Sequence, residues 1–441
     1  MILLKNFLNI FRVPELRKKV LFTLGVLAIF RLGHHIPVIG IDIDKLRYFM
    51  SAEGGLVKGI FSYLDMFSGG GLGNGVLFAL GISPYITASI MMQFLALSIP
   101  SLEQLLKEGE YGRKVVNQYT RYLALGVAVA QSSMYATMIQ RLGLAVDSGW
   151  GFHFVFVLSL VVGSVFVMWL GEQISLFGIG NGSSVLIFAG IVARFPNDII
   201  TVIGNAINQV ISWPTVIIIF ACVIFVTACV VFLERGERKI AVQYARRVVG
   251  HRMYGGQSVY IPFKINPSGV MPVILAGAAL NVPLLISSAL SAKFGIGGWV
   301  AESLSRGGLL YNVLEFFFII AFSFFYMTIQ FNPDELADNI KKSGGFIPGI
   351  RPGRKTAEFF HYLLMRIGLV GAIYLGLLAI LPNIIHALLD LKFYVTIMSG
   401  TSMLIMVGVA LEMAAQVESY LIEHRYEGFL STGRIRSRGT R

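Results

Sequence analysis

Apolar residues in this sequence gather into ten runs separated by polar stretches, near residues 20–38, 76–97, 122–141, 152–171, 176–195, 213–233, 270–291, 310–331, 367–389 and 394–416. Each run is close to the ~20 residues that an α-helix needs to cross about 30 Å of hydrocarbon. The pattern predicts an all-α membrane protein with ten transmembrane helices. Once the runs are threaded through a bilayer, the segments on one side carry 5, 4, 0, 7, 6 and 5 Lys or Arg, 27 of the chain's 36. Basic excess marks the cytoplasmic side, so both termini are expected in the cytoplasm.

Five runs precede the stretch 196–212 and five follow it. Five is odd, so the second half enters the membrane in the opposite sense, the arithmetic of two inverted five-helix halves with a functional path near their interface. The organisation expected is a cytoplasmic amphipathic N-terminus at 1–19, a first half at 20–195, an external connecting loop at 196–212, a second half at 213–416 and a cytoplasmic tail at 417–441. Residues 1–19 show no long apolar core or small-residue cleavage site, and they read as an interfacial helix ended near Pro14 rather than a signal peptide.

Composition agrees: mean hydropathy is +0.72, 55% of residues are hydrophobic and 14% are charged. The net charge of +12 lies mostly in the cytoplasmic loops, which suits anionic headgroups, RNA phosphates or acidic protein surfaces. Cys222 and Cys229 are seven residues apart on one predicted helix, about 10 Å along its axis at ~1.5 Å per residue, too far for a disulfide.

Three local features stand out. Residues 56–67 are apolar but too short to span, and they run into Gly69–Gly75, where five of seven residues are glycine. They read either as a short helix on a glycine hinge that folds into a cavity or as an interfacial loop. The stretch Phe177–Ser184 is polar and glycine-rich, so it either lines something wet or packs deeply through small residues. The loops 234–268 and 332–366 mix basic residues with aromatic, Gly and Pro residues, as docking surfaces do.

Catalytic signatures are missing. The run Gly349–Thr356 fails the phosphate-loop spacing, because three residues rather than four separate its glycines and Arg354 stands between Gly353 and Lys355. No H-E-x-x-H, metal-spaced cysteine pair or G-x-S-x-G occurs. No enzyme, metal site or cofactor is expected. Arg31, Arg194, Glu315 and Glu412 lie near span ends, where long side chains can snorkel or pair. A secondary transporter of a small solute is the alternative function, and it calls for acidic residues nearer the midplane.

The segments Met66-Phe67-Ser68-Gly69-Gly70, Ala79-Leu80-Gly81-Ile82-Ser83-Pro84-Tyr85-Ile86, Met168-Trp169-Leu170-Gly171-Glu172-Gln173, Gly178-Ile179-Gly180-Asn181-Gly182, Phe331-Asn332-Pro333 and 346–353 resemble, in order, those of the SecY family, the large subunit of the bacterial protein-conducting channel. The resemblance covers nearly the whole chain. It implies a channel that passes unfolded secretory polypeptides across the bacterial plasma (inner) membrane and releases transmembrane segments laterally into lipid. Implied partners are small subunits resembling SecE and SecG, an ATPase motor resembling SecA, the ribosome, signal peptides and unfolded clients, and membrane lipids.

Carried over by position, the family's apolar pore ring falls on Ile82, Ile86, Ile187, Ile274 and Ile405, with Ser183 where a sixth apolar residue is often found. Ile82 and Ile86 are four apart, hence on one face of a helix. Isoleucine is stiff at χ1 and makes no hydrogen bonds, so such a ring can close by dewetting. Residues 56–74 resemble the plug, with Ile60, Phe61, Leu64, Met66 and Phe67 as its apolar face. The resemblance places a lateral gate on spans two, three, seven and eight, with Thr87, Gln93, Gln131, Asn281 and Val282 as candidates. Motor or ribosome docking is expected at Arg246, Arg247, Arg351, Arg354 and Lys355.

Overall fold

The computed structural model describes residues 13–46, 69–146, 149–244, 247–249, 252–254, 258–277, 279–280, 308–388 and 400–432. The chain divides into two compact units, one of residues 1–196 and 409–441, the other of residues 197–408. Among the described residues, seven helices are long and apolar enough to cross a membrane, or eight if one bent pair counts as a single span.

In the first unit, α1 (Pro14–Gly33) opens with Pro14 in its first turn, where a missing N–H costs nothing. It stops earlier than the apolar run at 20–38, because His34 caps it and Pro37, three residues on, cannot extend the hydrogen-bond ladder. The second run also differs from expectation. Helix α2 begins only at Ser83 (Ser83–Ser98), and residues 69–82 form successive turns. Pro84 sets the helix start, and Gly69, Gly70, Gly75 and Gly81 take positive φ, which breaks a regular helix before it. Tyr135 pins these turns by donating its hydroxyl to the Leu72 carbonyl at 2.7 Å.

Pro100 then starts α3 (Pro100–Lys107) after a bend of 104° from α2. Helix α4 (Glu110–Arg141) is 32 residues long and begins about three turns before its apolar run, at 3.6 residues per turn. Helix α5 (Trp150–Phe177) follows. The core between α4, α5 and the 69–82 turns contains Leu72, Leu80, Tyr135, Ile139, Phe152, Phe156 and Leu160. Next comes the short α6 (Gly182–Val192).

Residues 196–207, expected in a loop, are helical (α7, Phe195–Ile207), and α8 (Trp213–Arg235) follows. The first basic loop of the second unit, 234–268, is not irregular. Strand β1 (Glu237–Tyr244) pairs antiparallel with β4 (Ser258–Lys264), Ile240 opposite Ile261 and Val242 opposite Val259. A smaller hairpin, β2 (Arg247–Val249) with β3 (Arg252–Tyr254), sits within the connection.

Residues 271–277 are helical, and α9 (Leu309–Gln330) comes after. Asn332 caps α10 (Pro333–Lys342), its side-chain oxygen accepting the Asp334 and Glu335 amides, with Pro333 at the first helical position. This gives Phe331-Asn332-Pro333 a local purpose, since Asn at the cap and Pro at N1 are the preferred residues there. Strand β5 (Gly345–Phe346) adds to the free edge of β1, giving the order β4-β1-β5. Helix α11 (Arg354–Leu388) contains Pro382. Helix α12 (Gly400–Thr432) begins in the second unit and continues through 409–432 of the first, so residues 417–432 of the expected tail are helical.

The two basic loops thus build one module. Ile240, Val242 and Phe263 of the hairpin share a core with Ile340 of α10, Ile347 after β5, and Phe360 and Leu364 of α11. Phe360 is fully buried there. Truncation to alanine, Phe360→Ala, should destabilise the module by about 3–5 kcal/mol. The expected readout is faster protease cleavage in both loops of membrane-embedded protein; unchanged cleavage would show that the loops do not depend on one core.

Candidate functional site

Ile82 is the N-cap residue of α2, not a residue of its interior. The expectation that Ile82 and Ile86 share a helical face therefore holds only at the level of one bond: the Ile86 amide donates to the Ile82 carbonyl at 3.1 Å. The Ile82 side chain is buried, and a Cβ on Gly171 of α5 would stand 3.3 Å from its Cδ1 and 3.4 Å from a methyl of Leu186 on α6. Ile86 is half-buried and Ile187, the residue after Leu186, is buried. In the second unit, Ile274 lies in the helical residues 271–277 and Ile405 in α12, and both are buried. Ser183 is half-buried and donates its hydroxyl to the Asn181 side-chain oxygen at 2.7 Å.

In the glycine-rich stretch after α5, Gly178, Ile179 and Gly182 are packed and buried, while Phe177 and Asn181 are exposed. Backbone amides of the stretch take side-chain acceptors from three helices: Ile179 from Thr23 of α1 at 3.1 Å, Gly180 from Gln416 of α12, and Gly182 from Ser175 of α5 at 2.9 Å. Asn181 caps α6 by accepting the Ser183 amide. A Cβ on Gly182 would come within 1.7 Å of the Gly171 carbonyl oxygen, so only glycine allows α5 and α6 to approach so closely. Nearby, Lys19 donates to the Tyr420 hydroxyl at 2.7 Å. Thr23, Gln416 and Tyr420 were not singled out from sequence; for Thr23 and Gln416 the available signal was a polar residue inside an apolar run, but nothing local names their partners.

Among the gate candidates, Thr87 donates its hydroxyl to the Ser83 carbonyl at 3.0 Å, within its own helix. The amides of Gln93 and Gln131 are half-buried and have no hydrogen-bond partner among the described residues. Asn281 and Val282 lie outside the described residues, as do Ile60, Phe61, Leu64, Met66 and Phe67 of the expected plug. Of the plug region 56–74, residues 69–74 are described. A Cβ on Gly69 would meet the Gly190 Cα of α6 at 2.8 Å.

Of the docking candidates, Arg246 lies outside the described residues and Arg247 is described only as the first residue of β2. Arg354 and Lys355 both pair with Glu358 one turn along α11, at 3.5 and 2.8 Å. These contacts, the Lys355 hydrogen bond foremost, hold the Glu358 carboxyl below its ordinary range. The two pairs therefore persist at neutral pH and weaken only as pH falls through that lowered value. Arg351 is exposed and has no ion-pair partner among the described residues. Its backbone is fixed instead: the Arg351 carbonyl accepts the hydroxyl of buried Thr356 at 3.0 Å, and Gly349 and Gly353 on either side take positive φ.

This fold is shared with solved protein-conducting channels. The structure of a protein-conducting channel aligns with a TM-score of 0.62 at 21% identity, covering 91% of this chain and 92% of that one. Sec61 in the canine ribosome-channel complex from the endoplasmic reticulum aligns with a TM-score of 0.60 at 21% identity, covering 91% and 92%. The chain is a multi-pass helical membrane protein with that fold.

The chain belongs to the SecY family, whose model matches residues 76–414. It is 41% identical to the protein translocase subunit SecY of Thermus thermophilus over 99% of this chain and 100% of that protein. Identity to the SecY of Aquifex aeolicus is 42%, over 96% of this chain and 98% of that protein.

Proposed function

We infer that the chain is the pore-forming subunit of a protein-conducting channel, passing unfolded secretory polypeptides across the membrane and releasing transmembrane segments sideways into lipid. The observation that carries this is family membership along almost the full length. No observation favours the small-solute transporter. The channel works without chemistry of its own, so energy comes from a partner: an ATPase motor resembling SecA or the translating ribosome. Sec61 and Ssh1 channels have been seen on ribosomes. Subunits resembling SecE and SecG complete the proposed assembly, placed in the bacterial plasma membrane with both termini cytoplasmic.

In this reading Ile82, Ile86 and Ile187 of the first unit and Ile274 and Ile405 of the second act as the apolar constriction. Four of the five are buried, which suits a seal made by excluding water. Residues 56–74 act as the plug. Thr87, Gln93, Gln131, Asn281 and Val282 belong to the lateral gate, where the Gln93 and Gln131 amides, without a partner among the described residues, are suited to a hydrogen bond with a passing segment. Arg351 is the foremost docking residue, since Arg354 and Lys355 are already engaged by Glu358. Reconstitution with the small subunits, a motor and a secretory precursor should give ATP-dependent protection of the precursor inside vesicles. Solute uptake driven by an ion gradient, without precursor protection, would overturn the reading.

A further inference from the structure

Two helices approach the turns at 69–82 through positions that carry no side chain. A Cβ on Gly163 of α5 would overlap the Leu77 carbonyl oxygen and stand 3.0 Å from the carbonyl carbon. Both are backbone atoms, which no rotamer change can move aside. A Cβ on Gly33, the last residue of α1, would overlap three atoms of the Phe78 ring. Non-bonded carbons rest about 3.5–4.0 Å apart, so a side chain at either position forces the turns to move. Between membrane helices, small residues serve such close approach.

Phe78 has little room to swing out of the way. It is buried, its ring stacks on Phe30 of α1 and Phe166 of α5 with centroids 6.2 and 5.8 Å apart, and the His34 ring meets it edge-on at 5.9 Å. The neighbouring backbone is fixed as well. The Val38 amide donates to the Gly75 carbonyl at 2.9 Å and the Leu77 amide to the Ile36 carbonyl at 2.8 Å, which ties the turns to the segment after α1 on both sides of Val76. Close-packed interiors transmit strain, so a push on the ring is passed to its own backbone.

That backbone leads directly to Ile82. Overlapping turns join Ala79 to Val76 at 3.0 Å, Gly81 to Phe78 at 2.8 Å and Ser83 to Leu80 at 3.3 Å, leaving no slack in which a displacement at 77–78 could be absorbed. Ile82 itself is 2% exposed, with its Cδ1 turned toward Gly171 of α5. Other glycines of the same helices are unlike these two. A Cβ on Gly25 of α1 or Gly151 of α5 would meet nothing within 4 Å among the described residues. Close approach, not glycine content, sets Gly33 and Gly163 apart.

We propose that Gly33 and Gly163 are positioning residues for Ile82: by carrying no side chain, they let the 76–82 turns seat against α1 and α5 so that Ile82 is held buried beside Gly171. Gly33 acts through the Phe78 ring and Gly163 through the Leu77 backbone, so the two differ in what can relieve them. The placement of Ile82 is a property of the first unit by itself. Its consequence for the pore rests on the reading of Ile82 as part of the apolar constriction.

The test uses the full chain with its small subunits in vesicles, with Cys222→Ser, Cys229→Ser and Ile82→Cys as the parent. The rate at which the introduced thiol reacts with a small water-soluble maleimide is measured. Adding Gly33→Ala or Gly163→Ala should raise that rate by about tenfold or more, because overpacking a close contact displaces the chain. Gly25→Ala and Gly151→Ala should leave it at the parent value. Phe78→Leu removes the ring that Gly33→Ala strikes, so the two together should react no faster than Phe78→Leu alone, whereas Gly163→Ala should still add its effect to Phe78→Leu; such non-additivity marks a direct contact. Unchanged reactivity in assembled Gly33→Ala and Gly163→Ala would overturn the proposal, as would an equal rise in all four alanine variants. Loss of assembly in Gly33→Ala that Phe78→Leu does not restore would overturn it too. Resting ion conductance is measured in the same glycine variants with Ile82 in place. Raised thiol reactivity with background conductance would uphold the positioning and refute the place of Ile82 in the seal.

Discussion

Replacing Ile86 and Ile274 with glycine should raise the ion conductance of the resting, reconstituted channel by about an order of magnitude or more, because a seal made by dewetting depends on apolar volume at the constriction. Ile86 lies in the first turn of α2 and Ile274 in the helical residues 271–277, so each glycine also costs about 1 kcal/mol of helix stability. Alanine at the same positions removes most of the volume while retaining helix propensity, and it should leak in the same direction. Assembly with the small subunits is checked beside conductance. Background conductance in correctly assembled variants of both kinds would exclude these two isoleucines from the seal.

Arg351→Glu should abolish motor-driven transport while membrane insertion and subunit assembly continue. The guanidinium is exposed on a turn fixed by Thr356 and by two glycines at positive φ, so it is presented to a partner with little loss of backbone freedom on binding. A planar guanidinium can hold a carboxylate through two parallel hydrogen bonds, a geometry lysine cannot copy. Losing one side of such a pair typically costs about 2–5 kcal/mol, roughly 30-fold or more in affinity. Charge reversal adds repulsion. Arg354→Glu, whose wild-type side chain already pairs with Glu358, should do less harm. Normal transport rates in Arg351→Glu would remove Arg351 from the docking surface. Equal loss in both variants would mean that net charge, not the position of Arg351, is what the partner reads.

Residues 177–184 show where sequence reasoning stops. Their polar, glycine-rich character left two readings open, a wet lining or deep packing, and the packing of Ile179 and Gly180 depends on Thr23 and Gln416, which lie 156 and 236 residues from the amides they accept. Residues 76–82 failed differently. They are apolar enough to count as the start of a span, yet Pro84 and the glycines before it carry conformational rules that a hydropathy average does not see. Strands β1 and β4 and the helical 196–207 stretch were likewise read as loops, since their periodicity is short and set among turn-forming residues.

What the sequence determined by itself is what the bilayer demands of each segment separately. Transfer of a run into hydrocarbon is nearly a sum over its residues, so spans such as Trp213–Arg235 were legible from composition, and the sidedness of the basic loops supplied the expected orientation. Family motifs added the kind of function. Tertiary structure alone decided which distant atoms meet: the Gly171–Gly182 approach and the single core under two loops with Phe360 at its centre. Packing and hydrogen bonding are pairwise and short-ranged, and the pairs they join are far apart in the chain, so no local property of the sequence records them.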